Sequence, residues 1–154
     1  MKQRRVVLLA VLMSVALAGC KLKSTDTGTP GQIPAPPDVA APPANAVKTS
    51  SGLAFKVLTV GLGNSHPTPN STVRVHYTLW TPDGKMVESS VPSGDPVTFQ
   101  VGRVIPGWVE ALQLMVAGEK RRFWIPGPLA YDTSTNPSDP KGMLVFDIEL
   151  IEIK

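Results

Sequence analysis

Along most of residues 51–154, hydrophobic positions alternate with polar ones, and that period of two marks strands that bury one face. Residues 71–80 are the clearest case: Val73, Val75, Tyr77 and Leu79 alternate with Arg74, His76 and Thr78. Residues 143–153 repeat it, with Leu144, Phe146, Ile148 and Leu150 on one face and Val145, Asp147, Glu149 and Ile151 on the other. Shorter runs at 53–59, 86–89, 97–101 and 120–126 also read as strands. The breaks between them carry turn chemistry. Gly61-Leu62-Gly63-Asn64 closes one run, and in Pro82-Asp83-Gly84 proline presets φ while glycine accepts a positive value. One segment departs from the period of two. Trp108, Ala111, Leu112 and Met115 recur at i, i+3, i+4 and i+7, which predicts a short amphipathic helix ended by Gly118. Pro126, Pro128, Pro137 and Pro140 exclude a regular ladder from 127–142, which is expected to be a loop. An antiparallel sheet with one helix over one face is an α+β domain, and residues 51–154 supply about one domain's worth of chain.

Two segments lie outside this pattern. Lys2, Arg4 and Arg5 precede an unbroken apolar and small run, Val6 to Ala16. Eleven residues at about 1.5 Å each fall short of a hydrocarbon core of roughly 30 Å. The run therefore reads as the core of an export signal, to be excluded from the fold. Leu17-Ala18-Gly19-Cys20 follows at once and resembles the bacterial lipobox, in which the thiol at the cut takes up diacylglycerol. Cleavage after residue 19 and a membrane anchor on Cys20 are the expectation. Lys21 stands where aspartate marks retention in the inner membrane, so sorting to the periplasmic side of the outer membrane of a Gram-negative host is expected, with the outer face of the inner membrane as the alternative. In residues 20–50, Pro30, Pro34, Pro36, Pro37, Pro42 and Pro43 sit among Ala, Thr, Ser and Gly. With no aromatic residue and no amphipathic period, such a stretch buries too little apolar surface to offset its ordering entropy, and it reads as a disordered tether. Its reach is about 90 Å if fully polyproline-like.

Charge and cysteine count narrow the classes. The chain has 15 basic and 12 acidic side chains, but the leader takes three of the basic ones, so the mature chain balances at 12 against 12. A basic nucleic-acid surface is not supported, since phosphate recognition needs an excess of Lys and Arg. Cys20 is the only cysteine, which excludes a disulfide framework, a thiolate metal site and a cysteine nucleophile in the domain. No cofactor or metal is expected, and the domain is expected to be monomeric.

Several motifs then appear in one order: Val75-His76-Tyr77-Thr78, Asp83-Gly84-Lys85, Glu88-Ser89-Ser90, Val101-Gly102-Arg103-Val104-Ile105-Pro106-Gly107-Trp108, Leu129-Ala130-Tyr131 and Leu144-Val145-Phe146-Asp147-Ile148-Glu149-Leu150. Together they resemble the FKBP-type peptidyl-prolyl isomerase domain over essentially all of 51–154, and the whole chain is similar to small bacterial lipoproteins of that type. The resemblance implies a twisted antiparallel sheet wrapped around one short helix, X-Pro-containing protein clients and binding of macrolide-type inhibitors. It also implies a pocket with Trp108 as floor and Tyr77, Phe99, Val104, Ile105, Tyr131 and Phe146 as walls. The Ile105 N–H and the Tyr131 hydroxyl would bond substrate carbonyls, and Glu88 takes the place of the family's usual aspartate. Two functional classes stay open: an isomerase for envelope proteins, and a non-catalytic binding module or chaperone using the same pocket.

Periodicity alone favours Trp108, Tyr77 and Phe146 as plain core, and only the combined motif match reverses that. His66 and His76 read as surface residues, and Ser89-Ser90 shows no histidine partner of the kind a hydrolase needs. The chain also departs from the family it resembles. Val87 and Val97 stand at positions that are commonly aromatic, Asp132 replaces a glycine after Tyr131, and Asn136 precedes Pro137 in place of an apolar residue.

Overall fold

The computed structural model describes residues 31–154; the 1–19 leader, Cys20 and the tether up to residue 30 lie outside the described residues. The chain order is β1 (Val47–Lys48), β2 (Ala54–Thr59), β3 (Thr72–Trp80), β4 (Met86–Ser89), β5 (Val97–Gln100), α1 (Pro106–Gln113), β6 (Lys120–Ile125) and β7 (Leu144–Ile153). The strands form one antiparallel sheet in the order β1-β2-β6-β7-β3-β4, with β5 also paired to β3. β4 and β5 take successive stretches of β3, Thr78–Trp80 and Thr72–Val75. The α+β expectation holds.

Three boundaries move for local reasons. The helix starts at Pro106, since proline at the first turn has no N–H to leave unsatisfied. It ends at Gln113, not at Gly118. Gly118 has φ +88°, open to glycine at little cost, and its N–H donates to Leu150 O at 2.7 Å, so it belongs to the turn into β6. The fifth strand stops at Gln100, where Val101–Arg103 winds into one 3₁₀ turn.

Cross-strand register sorts the side chains into two faces. On the inner face Phe55, Phe123, Phe146, Leu79 and Glu88 pair in one row across β2, β6, β7, β3 and β4. Trp108, Ala111, Leu112 and Met115 of α1 and its exit pack there with Val73, Val75, Ile148 and Leu150 as the main core. On the outer face the corresponding row is Ala54, Trp124, Val145, Trp80 and Met86. Solvated outward positions are normally polar, yet Trp124 and Trp80 are 1% and 2% exposed.

The cover is the proline-rich segment, and here the expectation of a disordered tether through residue 50 is corrected. Trp80 Nε1 donates to Ile33 O at 3.0 Å and Trp124 Nε1 to Asp38 O at 2.9 Å. Val39 and Ala46 pack on Ala54, Trp124 and Val145, and β1 pairs with the start of β2. The segment has no amphipathic period because it packs against the sheet through backbone carbonyls and isolated small apolar side chains. Its prolines lower the entropy that ordering costs.

Candidate active site

α1 covers the inner face only in part. Beside its N-terminus the sheet, the 3₁₀ turn at Val101–Arg103 and the 127–131 segment enclose an open cleft of about 480 Å³. Gly107 makes this geometry possible. A Cβ there would run into the Ile125 side chain and approach Leu129 O at 3.0 Å, so only glycine lets the helix start sit this close to β6. The next residue, Trp108, is thereby planted in the floor, 4% exposed.

Three rings meet the Trp108 indole edge-on: Tyr77 at 5.3 Å and 86°, Phe99 at 5.4 Å and 80°, and Phe146 at 5.6 Å and 81° between centroids and planes. Tyr77 and Phe99 also touch each other, at 6.1 Å. Edge-to-face contacts of this kind are each worth about 0.5–1.5 kcal/mol beyond the area they bury. The indole is fixed from several sides while the cleft remains open for a ring to be laid in it.

Polar groups sit at the rim. Burial raises the Tyr77 phenol well above its ordinary range, and the facing Glu88 carboxylate raises it further. Tyr131 is raised by burial first, then by the charges of Asp139 and Glu88. Both hydroxyls therefore stay protonated donors across the physiological range. The Ile105 carbonyl accepts from the N–H groups of Trp108 (2.9 Å) and Val109 (3.1 Å), while its own N–H has no backbone partner among the described residues. Tyr131 leaves the 3₁₀ turn Gly127–Leu129, and its carbonyl accepts from Lys141 Nζ at 2.7 Å and Ser134 N at 3.0 Å. Asp132, the departure from glycine, ties the loop together: its carboxylate accepts from Gly142 N at 2.7 Å.

All eight residues singled out from sequence (Tyr77, Glu88, Phe99, Val104, Ile105, Trp108, Tyr131 and Phe146) line this one cleft. Val97 lines it too, whereas Val87 is 42% exposed and stays out of the lining. Leu79 and Arg103 line it and were missed. Leu79 shares the face of Tyr77 by simple alternation, which was a usable signal. Arg103 carried none, because an exposed cation in a turn looks like any solvated residue.

A histidine does lie beside Ser89-Ser90, but not in the arrangement that a hydrolase needs. His76 Nδ1 lies 3.0 Å from Ser90 Oγ. That oxygen is buried and accepts from the Tyr77 N–H at 3.0 Å, so the pair holds β4 against β3 and offers no open nucleophile. His66 is exposed, as read, with Nδ1 3.0 Å from Met115 O. Among the described residues no His, Cys, Asp and Glu group has the arrangement to hold a metal, and no helix is long and apolar enough to cross a membrane.

The family model described as FKBP-type peptidyl-prolyl cis-trans isomerase matches residues 63–151. The chain is 44% identical over 107 residues to the FKBP-type peptidyl-prolyl cis-trans isomerase FkpA of Aeromonas hydrophila, covering 69% of this chain and 40% of that protein. It is 43% identical over 106 residues to the outer membrane protein MIP of Legionella longbeachae, covering 68% and 45%. The crystal structure of FkpA from Escherichia coli superposes with a TM-score of 0.66 at 35% identity, over 73% of this chain and 53% of that one. The chain thus spans less than half the length of these two curated relatives.

Proposed function

The chain belongs to the FKBP-type peptidyl-prolyl cis-trans isomerase family, and on that premise we propose that it catalyses cis-trans isomerisation of X-Pro bonds in envelope proteins. The observation that carries this reading is the cleft itself: an indole floor ringed edge-on by three aromatics, with polar groups confined to the rim. An X-Pro amide turns slowly because resonance sets a barrier of about 18–20 kcal/mol. Twisting it breaks that resonance, moves charge back onto nitrogen and weakens the dipole. An apolar site suits the twisted amide better than the planar one, which is differential binding of the transition state. In this scheme the proline ring lies on Trp108 between Tyr77, Phe99 and Phe146, with Val104 and Ile105 closing the side. The Ile105 N–H and Tyr131 hydroxyl bond carbonyls flanking the reacting amide and hold the peptide while it turns. Glu88 orients the Tyr77 hydroxyl. The same apolar cleft suits macrolide-type inhibitors.

A protease-coupled assay with a short X-Pro peptide tests the reading. Tyr131→Phe is expected to lower kcat/KM three- to tenfold, about 0.5–1.5 kcal/mol for one lost hydrogen bond, with the denaturation midpoint little changed. Wild-type protein that binds the peptide without accelerating its isomerisation makes the chain a binding module instead.

The same proposal places the domain at the membrane through a lipid on Cys20, after removal of residues 1–19, on the periplasmic side of the outer membrane. Support comes from the apolar run and the Leu17-Ala18-Gly19-Cys20 motif, and from a relative named as an outer membrane protein. Since the chain is seated on the domain from Ile33 onward, the connector between Cys20 and Ile33, Lys21 to Gln32, is twelve residues and reaches at most about 43 Å. That is less than half the reach expected of a 30-residue tether. Cells fed a labelled fatty acid are expected to label the wild type and not Cys20→Ser. An unlabelled wild type counts against the anchor, and label confined to the inner membrane counts against the sorting.

A further inference from the structure

The outer-face row has features that a simple packing surface does not need. Val145 pairs with Trp80 on one side and with Trp124 on the other, so the two indoles stand two strand spacings apart, about 10 Å. Each aims its single N–H at a carbonyl of the proline-rich segment, hereafter the arm (residues 31–46), at Ile33 and Asp38. At one end of the row Met86 Sδ accepts from the Ile33 N–H at 3.2 Å.

Beside the row lies a built charge site. Arg122 grips Asp147 with two bonds, Nε to Oδ1 at 2.7 Å and Nη2 to Oδ2 at 2.9 Å, which fixes the guanidinium plane. Its remaining Nη1 is left pointing at the arm, where Asp38 Oδ1 meets it at 2.6 Å. The Arg122 and Asp38 side chains are 13% and 20% exposed.

The occupant is matched to these donors. Ile33 and Ala35 each precede a proline, as does Pro36, and residues before proline are pushed toward extended backbone. The strand then turns at Pro36–Val39, closed by Val39 N to Pro36 O at 3.1 Å, which presents the Asp38 carbonyl and carboxylate together. Aromatic grooves that read backbone carbonyls of an extended proline-rich strand are an established mode of peptide recognition. We propose that the row Ala54–Trp124–Val145–Trp80–Met86, with Arg122, is a second peptide-binding groove on the face opposite the catalytic cleft. It is built for an extended strand of the pattern aliphatic-Pro-x-Pro-Pro-Asp, and residues 33–38 are its resident occupant from the same chain.

The test uses the full chain with the arm displaced by Asp38→Lys and Val39→Asp, neither of which touches the cleft. The Trp80 and Trp124 indole N–H signals are expected to shift, with hydrogen exchange at least tenfold faster, while short-peptide isomerase activity is unchanged. A synthetic peptide of residues 31–46 at about 1 mM, near the effective concentration of a short intramolecular link, is expected to restore both signals. The same peptide carrying Asp38→Lys is expected not to, and wild type should ignore either one. Asp38→Asn alone, which removes one charge and leaves the packing, should give the same direction of change in a smaller fraction of molecules if the double variant does not fold. Indole signals unchanged by displacement, rescue that is absent, or rescue equal for both peptides overturns the groove. A wild-type chain that sediments as a dimer with its arm in a second copy overturns the same-chain assignment.

Discussion

Trp108→Ala is expected to abolish measurable isomerase activity and to cost about 3–5 kcal/mol of stability, the usual loss for a large buried aromatic. Against a total of about 5–15 kcal/mol for a domain, that is a large fraction, and the variant should populate the unfolded state in mild urea. The loss has two separable parts. Tyr77, Phe99 and Phe146 each lose the ring they meet edge-on, which is a stability effect. The proline ring loses its floor, which is a transition-state effect. Trp108→Phe keeps part of the packing and is expected to recover more stability than activity. Denaturant titration beside the peptide assay reads both quantities. Trp108→Ala with kcat/KM within twofold of wild type would remove the indole from the mechanism.

Trp124→Ala should destabilise by a similar amount, about 3–5 kcal/mol, and leave the folded molecules fully active. Trp124 is as buried as Trp108, but it faces the other side of the sheet and packs with Ala54, Val145, Val39 and Ala46. Its removal opens a cavity under the arm and deletes the donor to Asp38 O. Proteolysis between residues 31 and 46 is expected to accelerate at denaturant concentrations where the domain is still folded. Activity per folded molecule that falls in step with stability would show that the two faces are coupled, contrary to this assignment.

The contrast between these two tryptophans marks how far the sequence reaches. Alternation in 71–80 and 143–153 is a local property, since a strand with one buried face must place apolar residues two apart whatever lies beside it. That is why the strands, the single helix and the α+β class could be read directly. The motif order likewise brought out eight residues that line one cleft, although their chain positions run from Tyr77 to Phe146. Helix ends were less secure, because Gly118 suits a helix end and a strand-entry turn equally well and only the Leu150 carbonyl settles which it serves.

The outer face was beyond that reach. Trp80, Val145 and Trp124 could each be placed outward by counting twos, and such apolar residues facing outward hint at a cover. What makes them one surface is register across β3, β7 and β6, fixed by ladders between residues some twenty to eighty positions apart. What covers them is a proline-rich segment whose contacts are carbonyls to indoles and one carboxylate to Arg122, and backbone carbonyls leave no trace in a hydrophobic pattern. The same holds for Ser90, which found His76 only when β4 folded against β3. Sequence by itself determined which residues each strand turns toward the core under the helix. Only the tertiary structure decided what the other face is for, because that depends on which distant segments the sheet brings side by side.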